Sequence, residues 1–170
     1  MKITGTLGQF LSGLSAMQDS LAMENIAGIL FDRYSSCALN SAGLVIKTGG
    51  STLAKTGASD QYLLVDGALV KIAAATDMPA LTGISISAAK FNVVCFFVDK
   101  TGTTTAVAGT EGSAIGTVVW PPFPAKKALI GALLITYASA FTGGTTPLDT
   151  ATTVYLSPTG PFDPSARLGF

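Results

Sequence analysis

Phe91-Asn-Val-Val-Cys-Phe-Phe-Val98 is apolar at all but one position. Successive side chains of a strand point to opposite faces, so such a run predicts a central strand covered on both sides. Leu129-Ile-Gly-Ala-Leu-Leu-Ile-Thr-Tyr137 reads in the same way and supplies a second. Two strands of this kind need layers above and below them. The chain is therefore expected to be mainly β.

The flanking stretches carry turn chemistry. Asp99-Lys-Thr-Gly102 leads into a strand at Thr103–Ala108, and a further strand is expected at Ala114–Trp120. Pro121-Pro122 ends it, because proline donates nothing to a ladder. Upstream, Tyr62-Leu-Leu-Val65 and Ala68-Leu-Val-Lys-Ile72 flank Asp66-Gly67. Asp-Gly between apolar runs predicts a two-residue hairpin whose central residues both take positive φ. Leu44-Val-Ile46 is a short strand before the turn cluster Lys47–Ser51. Phe141–Pro147 is a loop, Thr152–Leu156 a last strand, and the proline-containing stretch from Ser157 an extended tail. About eight short strands without intervening helical periodicity point to a β-sandwich, a jelly roll or a small barrel. Lys-Thr-Gly recurs at Lys47, Lys55 and Lys100 without a fixed period, which is turn chemistry and not a repeat.

The N-terminal stretch has another grammar. Leu7, Phe10, Leu14, Met17 and Leu21 follow one another in steps of three and four, the spacing of one helix face. Gly8, Gly13 and Gly28 weaken that helix by up to about 1 kcal/mol each relative to alanine. It needs a surface to lie on: either its own domain, or a neighbouring subunit for which these five residues form the interface. The expected organisation is an N-terminal helical arm over 1–42, a β-sandwich or jelly-roll-like domain over 43–163, and a C-terminal tail over 164–170.

Composition narrows the partners. Apolar residues make up 48% of the chain and charged residues 12%, with ten basic against ten acidic side chains. A neutral, charge-poor surface has no steering field for nucleic acid or anionic lipid, and little to oppose self-association. The longest apolar run, Ala128–Ile135, is far shorter than the roughly 20 residues of a membrane-spanning helix. The N-terminus lacks the apolar core and cleavage site of a secretory signal. Neither nucleic acid nor membrane is an expected partner. Cys95 lies within an apolar run and Cys37 between a serine and an alanine, and no disulfide between them is expected.

Candidate chemistry is sparse. The chain has no histidine, which removes a Ser-His-Asp triad, a Cys-His pair and the commonest metal ligand. Ser87-Ala-Ala-Lys90 matches the S-x-x-K pattern of serine β-lactamases, but that pattern acts on a helix and here it follows Ile84-Ser-Ile86 and precedes a strand. Asp60, Asp66, Asp77, Asp99 and Asp149 all fall at expected turns, where aspartate caps the local backbone. No phosphate-binding glycine pattern is present. Trp120 and Phe123 offer either a sugar-stacking platform or the closure of a core, and the core is the commoner use. No catalytic, cofactor-binding or metal-binding residue is therefore assigned.

Ala73-Ala-Ala-Thr-Asp-Met-Pro-Ala-Leu81, Phe91–Asp99, Leu129–Ile135 and Phe141-Thr-Gly-Gly-Thr-Thr-Pro-Leu-Asp149 together resemble a group of tailed-phage virion proteins. Some of these are head decoration or cement proteins. The resemblance covers residues 43–163 and lies in texture and strand-loop order. It implies a virion location, most simply the capsid surface, after synthesis in the host cytoplasm. It also implies a particle-stabilising role, with the major capsid protein or other virion subunits and further copies of the chain as partners. It carries no functional residue with it. A tail or fibre subunit with a receptor- or carbohydrate-binding β module is the second expectation.

Overall fold

A computed structural model describes residues 34–162. The chain divides after Asp32, and the described residues belong to the unit Arg33–Phe170. Leu7, Phe10, Leu14, Met17 and Leu21, with the helical arm expected of them, lie outside the described residues, as does the 164–170 tail.

The first strands are β1 (Cys37–Ala38), β2 (Val45–Ile46), β3 (Ala54–Lys55), β4 (Gln61–Val65) and β5 (Ala68–Ile72). They are followed by β6 (Ser85–Ile86), β7 (Phe91–Asp99), β8 (Thr104–Ala108), β9 (Lys127–Thr136), β10 (Phe141–Thr142) and β11 (Thr152–Leu156). The protein is mainly β. Four strands form an antiparallel sheet in the order β11-β9-β7-β8, and three form a second in the order β1-β4-β5. The pairs β2-β3 and β6-β10 complete the set.

The β7 run is covered on both sides, as its sequence predicts. Every residue from Asn92 to Val98 is buried. Val94, Phe96 and Val98 belong to one cluster with Leu63, Val65, Val70 and Ile72 of the three-stranded sheet. Val93, Cys95 and Phe97 belong to another, against which Val118, Trp120 and Phe123 pack. Alternate residues of one strand thus fill two cores. Burying a large apolar side chain is worth about 1.5–3 kcal/mol, so β7 and β9 anchor both layers.

The partner strand changes phase halfway. Phe96 stands opposite Gly131 but Phe97 opposite Leu129, so Ile130 is an extra residue and the ladder bulges there. Ala128 and Ile130 face the larger cluster, and beyond the bulge so do Leu133 and Ile135. A one-residue shift reverses the faces of a strand. The unbroken apolar run tolerates that reversal because either phase buries an apolar side chain. Gln61 of β4, fully buried, donates from Nε2 to the Ile130 carbonyl at 3.1 Å and ties the two sheets together at the bulge. Gln61 Oε1 is buried without a partner among the described residues.

Asp66 and Gly67 have φ of 52° and 75°, the positive pair expected of the β4–β5 hairpin. Other expectations shift. Ala114–Trp120 is not a strand: Ile115–Thr117 forms a 3-10 turn, and Val119 bridges Thr110. Thr117 Oγ1 accepts from the Ala114 N–H at 3.1 Å and lies 2.9 Å from the Ala114 carbonyl, closing a local turn that competes with an extended chain. The sheet also begins before Gly43. Cys37–Ala38 pairs with β4, and the Gly160 N–H donates to the Ala38 carbonyl at 2.7 Å, so the expected tail lies along β1. A two-residue strand has too short a pattern to read.

Gly131 stands where β9 is approached from two sides. A Cβ there would lie 2.6 Å from the Leu156 carbonyl oxygen and 2.6 Å from Leu44 Cδ1. The backbone oxygen belongs to the paired strand β11 and has little room to retreat. Gly131→Ala is expected to destabilise the domain by about 1–3 kcal/mol, the range for overpacking. A lowered urea midpoint with an unchanged denaturant slope is the expected readout, and an unchanged midpoint would contradict this account of the packing.

Candidate interaction surface

Ser87 to Lys90 is a turn, with the Lys90 N–H donating to the Ser87 carbonyl at 3.1 Å and Ala89 at φ 58°. The Ser87 backbone N–H and hydroxyl both donate to the Glu111 carboxylate at 2.8 Å. Those two bonds, with Lys90 nearby, hold Glu111 below the usual carboxylate range. The hydroxyl thus donates to an ionised carboxylate that clamps two loops. The lysine does not lie one helical turn beyond the serine, as the S-x-x-K chemistry requires.

The aspartates do more than cap locally. Asp99 behaves as expected: Oδ1 accepts from the Thr101 N–H, the Thr101 hydroxyl and the Thr103 N–H at 2.6–3.0 Å. Those bonds, the Thr101 hydroxyl foremost, lower its pKa. Asp60 instead reaches across to Lys71 Nζ at 2.6 Å and to the Ala74 N–H at 2.9 Å, and Lys71 is the main cause of its lowered pKa. Asp149 accepts from the Gly50 N–H at 2.7 Å, and Asp77 pairs with Lys47. Sequence places all of these at turns, but their partners are chosen by the fold.

The aromatic stretch closes a core. Phe123 packs edge-on against Phe97 with ring centres 5.1 Å apart, and Trp120 meets Phe162 at 5.8 Å. Beside them lies a cleft of about 20 Å³ lined by Cys37, Phe123, Lys127, Leu129 and Phe162. That is room for about one water molecule. Cys37 and Cys95 are both free and buried. Burial pushes the Cys95 thiol up to about 12 and also raises Cys37. Among the described residues, no group of three His, Cys, Asp or Glu side chains could hold a metal ion, and no helix is long and apolar enough to cross a membrane.

What the described residues do present is a partly exposed apolar face. In the β1-β4-β5 sheet, Cys37 stands opposite Leu64, Leu64 opposite Leu69, and Tyr62 opposite Lys71. Leu39 continues β1 by donating its N–H to the Tyr62 carbonyl at 2.9 Å. Gln61, Leu63 and Val65 point inward, so Cys37, Leu39, Tyr62, Leu64 and Leu69 share the other face, on which Cys37 is buried and Leu64 half-buried. Leu69 is 64% exposed, Leu39 52% and Tyr62 39%. The charge on this face is Lys71, already paired with Asp60. Exposed apolar side chains rimmed by a satisfied ion pair make this face a candidate interaction surface. Sequence does not reveal it, because Tyr62-Leu-Leu-Val65 is apolar in both phases.

Comparison with known proteins finds no family model, no curated protein and no solved structure that matches this chain.

Two measurements check this electrostatic and packing account. An aromatic disulfide reagent is expected to titrate neither thiol in the folded protein and both after denaturation; prompt reaction of one thiol in the native state would contradict the burial. Asp99, with a folded pKa below its unfolded value of about 3.9, adds stability above that value that is lost as pH falls through the folded pKa. Asp99→Asn keeps the acceptor oxygen but not the titration. It is expected to flatten the stability–pH curve below about pH 4 while changing the neutral-pH midpoint little.

Proposed function

We propose that this chain is a non-enzymatic structural subunit of a tailed-phage particle, a capsid decoration or cement protein that stabilises the shell through symmetric subunit contacts. The observation that carries the assembly role is the exposed face of Leu39, Tyr62 and Leu69, which has no uncompensated charge. A chain of zero net charge has little long-range repulsion to keep its copies apart. The resemblance of residues 43–163 to virion proteins supplies the particle.

The packing of the β11-β9-β7-β8 sheet over β1-β4-β5 supports a sandwich or jelly-roll-like domain in this role. The apolar spacing of Leu7, Phe10, Leu14, Met17 and Leu21 supports an arm that docks on a neighbouring subunit. A cement protein works by many weak contacts repeated by symmetry, and linked contacts multiply modest interface energies. The partners are the major capsid protein or other virion subunits, together with further copies of the chain. No cofactor, nucleic acid or membrane enters the proposed role.

Purified particles separated into heads and tails provide the test. Mass spectrometry is expected to find the chain in the head fraction. Its presence in tails alone would favour a receptor- or carbohydrate-binding tail module, and its absence from both would refute the virion role. For the arm, the double variant Leu14→Asp with Met17→Asp is expected to lower the solution mass while the β-type circular dichroism signal is kept. Loss of that signal would place the segment in the domain's own core.

A further inference from the structure

The β11-β9-β7-β8 sheet ends on β8, and its hydrogen-bonding pattern leaves one side of that strand open. The Asp99 N–H donates to the Thr103 carbonyl at 3.1 Å, and the Gly109 N–H to the Val93 carbonyl at 2.8 Å. Antiparallel ladders alternate, so the odd-numbered residues from Thr103 to Gly109 bond toward β7. The backbone groups of Thr104, Ala106 and Ala108 therefore point away from the sheet. None of them has a partner among the described residues.

The next position in that outward series is occupied. Thr110 exchanges both backbone bonds with Val119, at 2.9 and 3.1 Å. Pro121 and Pro122 follow at once, and proline cannot continue a ladder. The chain thus begins to cover its own edge at Thr110 and leaves Thr104–Ala108 open. All five residues of β8 are half-buried, with Val107 packed on one core and Ala106 and Ala108 on the other. Both faces of the strand are in use, and its free side is the edge.

That edge lacks the usual guards. From Thr101 to Thr110 there is no charged residue and no proline. Two of the other edges are managed: Lys71 stands on β5, and Gly160 bonds along β1. At β11, the Leu44 N–H bonds to Ser157 Oγ just past the strand end. Natural sheets blunt edges with lysine, proline or a cover, and an edge without them is a template for another strand.

We propose that β8 is a pairing edge for β8 of a second copy of this chain, joined antiparallel about a two-fold axis. The occupant has to be a strand, because the open groups alternate donor and acceptor along an extended backbone. An identical strand fits in length, in its small threonine and alanine side chains, and in its absence of charge. A two-fold joint is self-complementary and closes. The sheet would continue through the joint as β11-β9-β7-β8-β8-β7-β9-β11. This deepens the proposed assembly role and rests on it: it names one contact through which copies associate.

The test is hydrogen exchange on the full chain at two concentrations, with solution mass by light scattering. The Ala106 amide is expected to exchange on the order of 100-fold more slowly in the assembled chain and to lose that protection on dilution. Ala106→Pro removes an outward N–H that the β7 ladder does not use, so the domain is expected to fold and its mass to halve. Should that variant not fold, exchange in the unaltered chain decides. Free exchange of Ala106 in the assembled state overturns the proposal. So does protection at Thr152–Leu156 instead, or concentration-independent protection in a monomer. If Ala106→Pro leaves the mass unchanged while Leu14→Asp with Met17→Asp lowers it, the assembly role stands and the β8 joint falls. A full chain that is monomeric at every concentration removes both.

Discussion

The extra residue in β9 governs the rest of the domain. Strands β7 and β9 are the longest in the described chain, and both of their faces are buried. Without the bulge at Ile130, one half of β9 would present its side chains in the opposite phase. The bulge brings Ala128, Ile130, Leu133 and Ile135 onto one face although their spacing is not a strict alternation. It also exposes a carbonyl that the ladder does not use. Gln61 answers that carbonyl from the opposing sheet. An unmet buried carbonyl costs about 1–3 kcal/mol, so the amide is both a satisfied bond and a reference point between the sheets. Gly131, one residue on, leaves the space into which Leu44 and β11 fit.

The polar contacts follow the same logic of joining separate segments. Ser87 and Glu111 clamp two loops, Asp60 joins β5 to the Ala73–Asp77 stretch, and Asp149 reaches the Gly50 turn. These groups are exposed and hydrogen-bonded, which suits fastening better than chemistry. The two thiols are buried in apolar surroundings, where burial disfavours the reactive thiolate. Among the described residues the polar surface is largely occupied with holding loops, and an apolar face and a strand edge are left open at the surface. Both are features that the proposed assembly role would use.

These two surfaces are different in kind. The outward face of β1-β4-β5 offers side chains and no direction, so it contributes area. The edge of β8 offers direction and register with little apolar area. In the proposed assembly role, one would supply strength and the other orientation. Their separate locations on separate sheets also allow one chain to meet two neighbours.

The sequence by itself determined that the domain is β. Continuous apolar runs at Phe91–Val98 and Leu129–Ile135 have no other economical burial, and Asp66-Gly67 marks its hairpin by the positive φ that it alone tolerates well. It also showed that Ser87 and Lys90 would lie outside a helix. It did not show which phase of Tyr62-Leu-Leu-Val65 faces inward, because both phases are apolar. It missed Cys37–Ala38 as a strand and overread Ala114–Trp120, since two residues carry no period and Thr117 closes a turn that periodicity does not register. The bulge at Ile130, the partner of Gln61 and the open edge of β8 were decided by tertiary structure alone. Each depends on which strand lies beside which, and pairing across 69 residues, as between Gln61 and Ile130, leaves no trace in local sequence.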